Sequence, residues 1–248
     1  MNSMKTRRTI RAYSDRNLDD QLLEELMNIA CRASNTGNMQ AYSVVVTRDP
    51  ERKRLLAPLH FNQQQILTAP VVLTFCADFN RFSKWCEQRK AEPGYANFQA
   101  LAYAAIDTVI LAQAFCDAAE ASGLGICYLG TTTYNAEQIA EALALPQLVL
   151  PITTISVGYP KGPVAGPMAD RLPLKGLLHQ ETYRDYTEAD IDRIYAEKEA
   201  LDENRNFIEI NKKETLAQIF TDIRYTKKDN EYFSEAFLKA IRKQGFKL

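Results

Sequence analysis

Three arginines crowd the start of the chain: Arg7, Arg8 and Arg11 in RRTIR, with the Thr9 hydroxyl among them. Guanidinium forks match the oxygens of a phosphate monoester, and charge-assisted hydrogen bonds to such a dianion are strong. The cluster can hold a phosphate, or it can be a solvated basic terminus. A second polar group is Ser34-Asn35-Thr36-Gly37-Asn38-Met39-Gln40. Its short side chains and one glycine can offer hydrogen bonds to the edge of a flat polar ring, or simply turn a helix into a strand. Asn38 and Gln40 stand just before a β-branched run, where a cleft over a sheet would open. The third segment is Gly123-Leu124-Gly125-Ile126-Cys127-Tyr128-Leu129-Gly130-Thr131-Thr132. It has neither the spacing nor the context of a dinucleotide fingerprint or a P-loop. Gly123 suits a left-handed helix cap. Gly130 lets backbone come close to a planar ligand, with an N–H aimed at it.

Other chemistries lack their parts. Two histidines, His60 and His179, are far apart in sequence, so no His-rich metal site is expected, and no G-x-S-x-G elbow surrounds a serine. Five cysteines include no C-x-x-C pair, and an odd count without framework spacing fits a reducing compartment. Lys and Arg number 30 against 31 Asp and Glu, a balance that argues against nucleic acid and gives no attraction to an anionic membrane. The N-terminus lacks an apolar signal region, and no run of eighteen residues is apolar and free of charge; a cytoplasmic location is expected.

These residues need elements to position them. Apolar spacing predicts a helix over 19–33, with an acidic start at Asp19 or Asp20. SVVVTR (43–48), PVVLTFCA (70–77) and PITTISVG (151–158) read as strands, the second buried on both faces. Residues 79–97 read as a loop with some helix. Residues 98–122 carry apolar side chains on nearly every face and predict a central buried helix, in which Asp107 and Glu120 read as structural. Asn135 with Gln138 resembles a capping box for a helix over 136–144. A Pro/Gly-rich connector, YPKGPVAGP, leads to a charged region of helical pattern from about Thr187. Interleaved strands and helices with a helical tail make the class α+β. The expected division is a core over 1–183 and a helical C-terminal extension over 184–248, packed on the core or on a second subunit.

RRTIRAYS, then SNTGNMQAYSVVV, then AAEASGLGICYLG with DRLP downstream, together with TAPVVLTFCADFNR and the ending KQGF, resemble the nitroreductase family. The larger branch of flavin reductases and oxygen-insensitive nitroreductases is the nearer match, over nearly the whole chain. The resemblance implies a mainly antiparallel sheet flanked by helices, in an intertwined homodimer with FMN at the subunit interface. By the same resemblance Arg7, Arg8, Thr9 and Arg11 match phosphate and ribityl contacts. Ser34, Asn38 and Gln40 match flavin-edge contacts, some supplied across the dimer. Tyr128, Leu129, Gly130 and Thr131 match the segment near N5, and Arg171 matches a basic residue that returns to the phosphate. The sequence departs from the family at Ala169, where a Lys is common, and at Thr68, where a Gln is common. Arg224, Lys227 and Lys228 are the nearby candidates for the extra phosphate of NADPH. The implied activity is hydride transfer from NADPH or NADH through FMN to small planar acceptors such as nitroaromatics, quinones or flavins, in ping-pong order. Arg11 is the candidate positive group for the N1–O2 edge of the reduced flavin. An FMN-binding redox carrier without turnover is the alternative.

Overall fold

A computed structural model describes residues 4–248. Four strands form one sheet: β1 (Tyr42–Thr47), β2 (Val71–Asp78), β3 (Gly125–Leu129) and β4 (Val149–Gly158). Their order is β1-β2-β4-β3, and each neighbouring pair is antiparallel. β2 is buried along its whole length, as its unbroken apolar run predicts. Its alternate side chains serve two layers. Leu73 and Phe75 join Leu26, Leu111, Phe115 and Ile155 on one face, while Val72 joins Leu56, Ile66 and Leu129 on the other.

Two helices cover the first face. α1 (Asp20–Ala30) begins at Asp19, whose carboxylate accepts from the Gln21 amide at 2.7 Å. After it come α2 (Pro50–Leu56), α3 (Gln64–Thr68), α4 (Asn80–Gln88) and α5 (Phe98–Ala121), and α6 (Ala136–Ala142) precedes β4. α5 packs on α1 and touches all four strands. Gly123, at φ +80°, ends it in the left-handed conformation expected. By length and composition alone α5 could cross a membrane, a test that core helices also pass. It is not buried all round: Phe98, Ile106, Val109 and Ile110 face outward.

Three local expectations are corrected. The segment 49–69, unassigned in the sequence, holds two helices, the first capped by Asp49 with Pro50 at its opening position. Residues 125–129 form a full edge strand. Asn135 makes no side-chain cap; its amide donates instead to the Leu59 carbonyl at 2.7 Å.

The chain divides into two compact units. The first contains residues up to Gly166 and takes back Phe233–Leu248; the second is Pro167–Tyr232. These divisions fall at 166/167 and 232/233. In the first unit the returning segment closes a cluster of Phe79, Leu101, Leu150, Ile241 and Phe246. The second unit holds α7 (Glu188–Ala200), α8 (Asp202–Ile210) and α9 (Leu216–Ile219). Capping boxes at Thr187/Asp190 and Thr215/Gln218 start α7 and α9. α10 (Lys227–Lys243) starts in the second unit and ends in the first.

Candidate functional site

The N-terminal arginines lie on and just before a segment fastened to β3 at one end and to the residue after β4 at the other. The Ile10 amide donates to the Ile126 carbonyl at 3.0 Å, and the Ser14 amide to the Tyr159 carbonyl at 2.8 Å. Between them Tyr13 is buried, and its hydroxyl meets the Ile10 carbonyl and the Ser156 hydroxyl, each at 2.8 Å. Burial pushes that phenol up, so it stays neutral. Gly125 is required here, because a Cβ on it would come within 2.6 Å of Ile10.

The arginines are held differently. Arg7 Nε lies 3.3 Å from Glu120 Oε1, with 19% and 10% of the two side chains exposed. Burial raises the Glu120 carboxyl and Arg7 pulls it back. Glu120 is therefore structural, and part of Arg7's guanidinium is committed to it. Arg8 donates to the Gly166 carbonyl from Nη2 at 2.7 Å and Nε at 3.0 Å. Arg11 is exposed, and lies close enough to Cys127 to pull its thiol down against the burial that raises it. Thr9, between them, is half-buried.

Beyond Cys127, β3 runs into the segment Leu129-Gly130-Thr131. Leu129 is buried, and its carbonyl accepts from the Thr132 hydroxyl at 3.0 Å. The Tyr128 ring packs against the main core, its hydroxyl 3.4 Å from Gln113 Oε1. A Cβ on Gly130 would meet nothing within 4 Å, so the chain's own packing does not demand glycine there. Thr131 is gripped through its side chain. His60 Nδ1 lies 2.8 Å from Thr131 Oγ1, and Gln63 Nε2 donates to the same oxygen at 3.4 Å. Gln65 Nε2 donates to Gln63 Oε1 at 2.9 Å and reaches Cys127 Sγ at 3.8 Å. A polar chain thus runs from the neighbourhood of Arg11 to Gly130. Sequence reasoning passed over His60, Gln63 and Gln65. The signal was present as LHFNQQQ, a polar run placed between two apolar ones.

The Ser34–Gln40 turn is built by the other edge of the sheet. Gly37, Asn38 and Gln40 take positive φ values of 56°, 54° and 51°. Asp107, deep in α5, accepts from the Thr36 amide at 3.0 Å and hydroxyl at 2.9 Å. Arg81 donates to the Gln40 carbonyl and, at 3.2 Å, to that of Tyr42. Backbone is fixed while Ser34 and Asn38 stay exposed. This turn enters β1, whereas Thr131 follows β3, at the opposite edge of the sheet. Three strand spacings, roughly 14 Å, separate the edges. One chain therefore does not gather Ser34, Asn38 and Gln40 with the arginines and Thr131.

Arg171 belongs to the second unit, where its Nη1 donates to the carbonyls of Asp170 at 2.8 Å and Ala169 at 3.3 Å. Asp170 pairs with Lys198 at 2.6 Å. In the same unit the Arg224 guanidinium lies 4.4 Å from the Phe207 ring centre.

Fold and site define an α+β chain with a basic segment beside an edge strand, which itself ends at an open backbone glycine. The nitroreductase family model matches residues 4–159. The chain is 31% identical over 252 residues to an FMN reductase [NAD(P)H] of Bacillus subtilis, covering 99% of this chain and 97% of that relative. A crystal structure from Bacteroides fragilis NCTC 9343 superposes with a TM-score of 0.96 at 57% identity, covering 99% of each chain. The structure of the NfrA1 nitroreductase of B. subtilis superposes with a TM-score of 0.85 at 27% identity, covering 99% of this chain and 98% of that one. The chain belongs to the nitroreductase family and is an oxidoreductase.

Proposed function

We propose that the protein binds FMN and passes hydride from NADPH or NADH, through flavin N5, to small planar acceptors such as nitroaromatics, quinones or flavins in ping-pong order. The observation that carries this is the basic segment Arg7–Arg11 fastened beside β3 and leading to an open Gly130. The donor set fits FMN. Of the three guanidiniums, Arg7 pairs with the Glu120 carboxylate, and the segment keeps positive charge for a phosphate dianion. Arg8, Thr9 and Arg11 supply donors to the phosphate and ribityl chain. The space at Gly130 admits a flat ring against the backbone of Leu129, Gly130 and Thr131. When bound, the flavin supplies two-electron chemistry between nicotinamide and acceptor. The residues' work is to bind the phosphate, orient the ring and hold positive charge beside its pyrimidine edge, the last assigned to Arg11.

A second copy of the chain completes the site in this proposal. Ser34, Asn38 and Gln40 lie at the wrong edge to serve the arginines of their own chain. The outward apolar side chains of α5 offer the contact surface for a homodimer. All five cysteines are free, which suits the cytoplasm.

The purified protein should be yellow, and anaerobic NADPH or NADH should bleach it within the turnover time. Persistent colour would leave a carrier of FMN, and a colourless protein with no affinity for FMN would defeat the proposal. Initial rates with both substrates varied should give parallel double-reciprocal lines; converging lines would exclude the ping-pong order. Arg11→Ala should weaken FMN binding by about tenfold to a hundredfold, the worth of a hydrogen bond to a charged group. Arg7→Ala is the poorer probe, because it strands the buried Glu120 carboxylate and costs fold stability as well.

A further inference from the structure

We propose that His60 fixes the direction of the Thr131 hydroxyl, making it a donor into the space beside Gly130, where it would favour the reduced form of a bound flavin and so raise its reduction potential. The inference rests on the FMN reading above and concerns a residue that touches no ligand itself. His60 is fully buried, at 0% exposure, and burial pushes its pKa down to about 4. The ring is therefore neutral, with one N–H and one lone pair. Nδ1 faces Thr131 Oγ1 at 2.8 Å, while Nε2 is buried without a partner among the described residues. An orphaned buried N–H is rarer than an under-satisfied acceptor. The proton accordingly sits on Nδ1, and Nδ1–H donates to Thr131.

Gln63 removes the remaining freedom. Its Oε1 accepts from Gln65 Nε2 at 2.9 Å, which turns its own Nε2 toward Thr131 Oγ1 at 3.4 Å. Thr131 oxygen then accepts from two sides, which uses both lone pairs. Its single proton has to point elsewhere. Thr131 is half-exposed and adjoins Gly130, where space is open. The hydroxyl thus enters that space as a donor with its direction set from behind. A carbonyl at a flavin edge gains charge on reduction, and a preset donor there favours the reduced form. His60 is a positioning residue in this scheme.

Two measurements test it. In ligand-free protein, ¹⁵N-histidine spectra contain only His60 and His179. At pH 7 His60 should carry its proton on Nδ1, with Nε2 unprotonated; the opposite tautomer overturns the proposal without touching the FMN reading. In the flavin-loaded protein, Thr131→Val should shift the ratio of dissociation constants for reduced and oxidised FMN about tenfold, or about 30 mV to lower potential for a two-electron couple. Thr131→Ser should restore the parent value. His60→Gln, whose amide reaches the Nε2 position, should match Thr131→Val, and His60→Asn, which keeps a donor near Nδ1, should stay near the parent. Unchanged potentials in Thr131→Val, or equal potentials in the two His60 variants, overturn the proposal. Should no FMN bind to the parent protein, the functional reading itself fails, and the spectra still report on the tautomer.

Discussion

At the scale of single residues, His60 links acid sensitivity to the site. Its pKa of about 4 in the folded chain lies below the usual value of about 6.5. Between those values the unfolded chain binds the proton and the folded one does not, so stability rises with pH across the window. The neutral ring's contribution is complete above pH 6.5 and is lost progressively toward pH 4. Between pH 7.5 and pH 5 the parent protein should lose about 2 kcal/mol more than a His60→Gln variant, which cannot take up that proton. Urea denaturation at the two pH values measures this difference. An equal loss in both proteins would mean that the imidazole is not held neutral. Arg7 shows a different coupling, because a side chain chosen in the sequence for phosphate also neutralises Glu120 under the helix. Spacing alone gives no sign of that second duty, since the partner is contributed by α5.

At the scale of elements, two glycines of one segment separate packing from ligand space. Gly125 faces Ile10 at a distance no Cβ tolerates, whereas Gly130 faces nothing within 4 Å. Gly125→Ala should lower stability by about 1–3 kcal/mol through overpacking. Gly130→Ala should leave the melting temperature nearly unchanged and weaken FMN binding. Thermal melts with flavin titrations on both variants check the contrast, and a large loss of stability in Gly130→Ala would refute it. The long, strongly patterned elements were legible: α1, α5, β1 and β2 fall within a few residues of the expected ranges. β4 was expected to open at Pro151, but it begins at Val149. A break in register between Phe75 and Cys76 accommodates proline opposite Cys76 in a central strand. β3 was obscured by its glycines, which read as cap and loop. The helices over 50–68 are short, and their cap at Asp49 and Pro50 was overlooked, which also hid His60 and Gln63. Arg11 and Thr131 were singled out by residue type and order alone. The separation of Ser34, Asn38 and Gln40 from them depends on strand order, which pattern alone does not specify.

At the scale of the molecule, α5 is the element whose sequence and burial disagree. Its apolar character suggests complete burial, yet Ile106 is 59% exposed and Phe98, Val109 and Ile110 accompany it. Outward apolar side chains on a core helix are expected where another copy of the chain covers them. Ile106→Glu should yield a monomer by sedimentation equilibrium that retains its helical content and no longer holds flavin. A variant that stays dimeric and yellow would place the subunit contact elsewhere. The first unit has a further property of its own. Phe246, 2% exposed, sits against residues made much earlier, and the Lys247 amide donates to the Ala96 carbonyl at 3.1 Å. All of Pro167–Tyr232 emerges from the ribosome before that contact can form. The nascent sheet consequently waits with the surface around Phe79 and Leu150 uncovered, and translation has to run past Phe246 before this half of the molecule can close. A chain truncated before α10 would leave this apolar surface uncovered and is expected to aggregate.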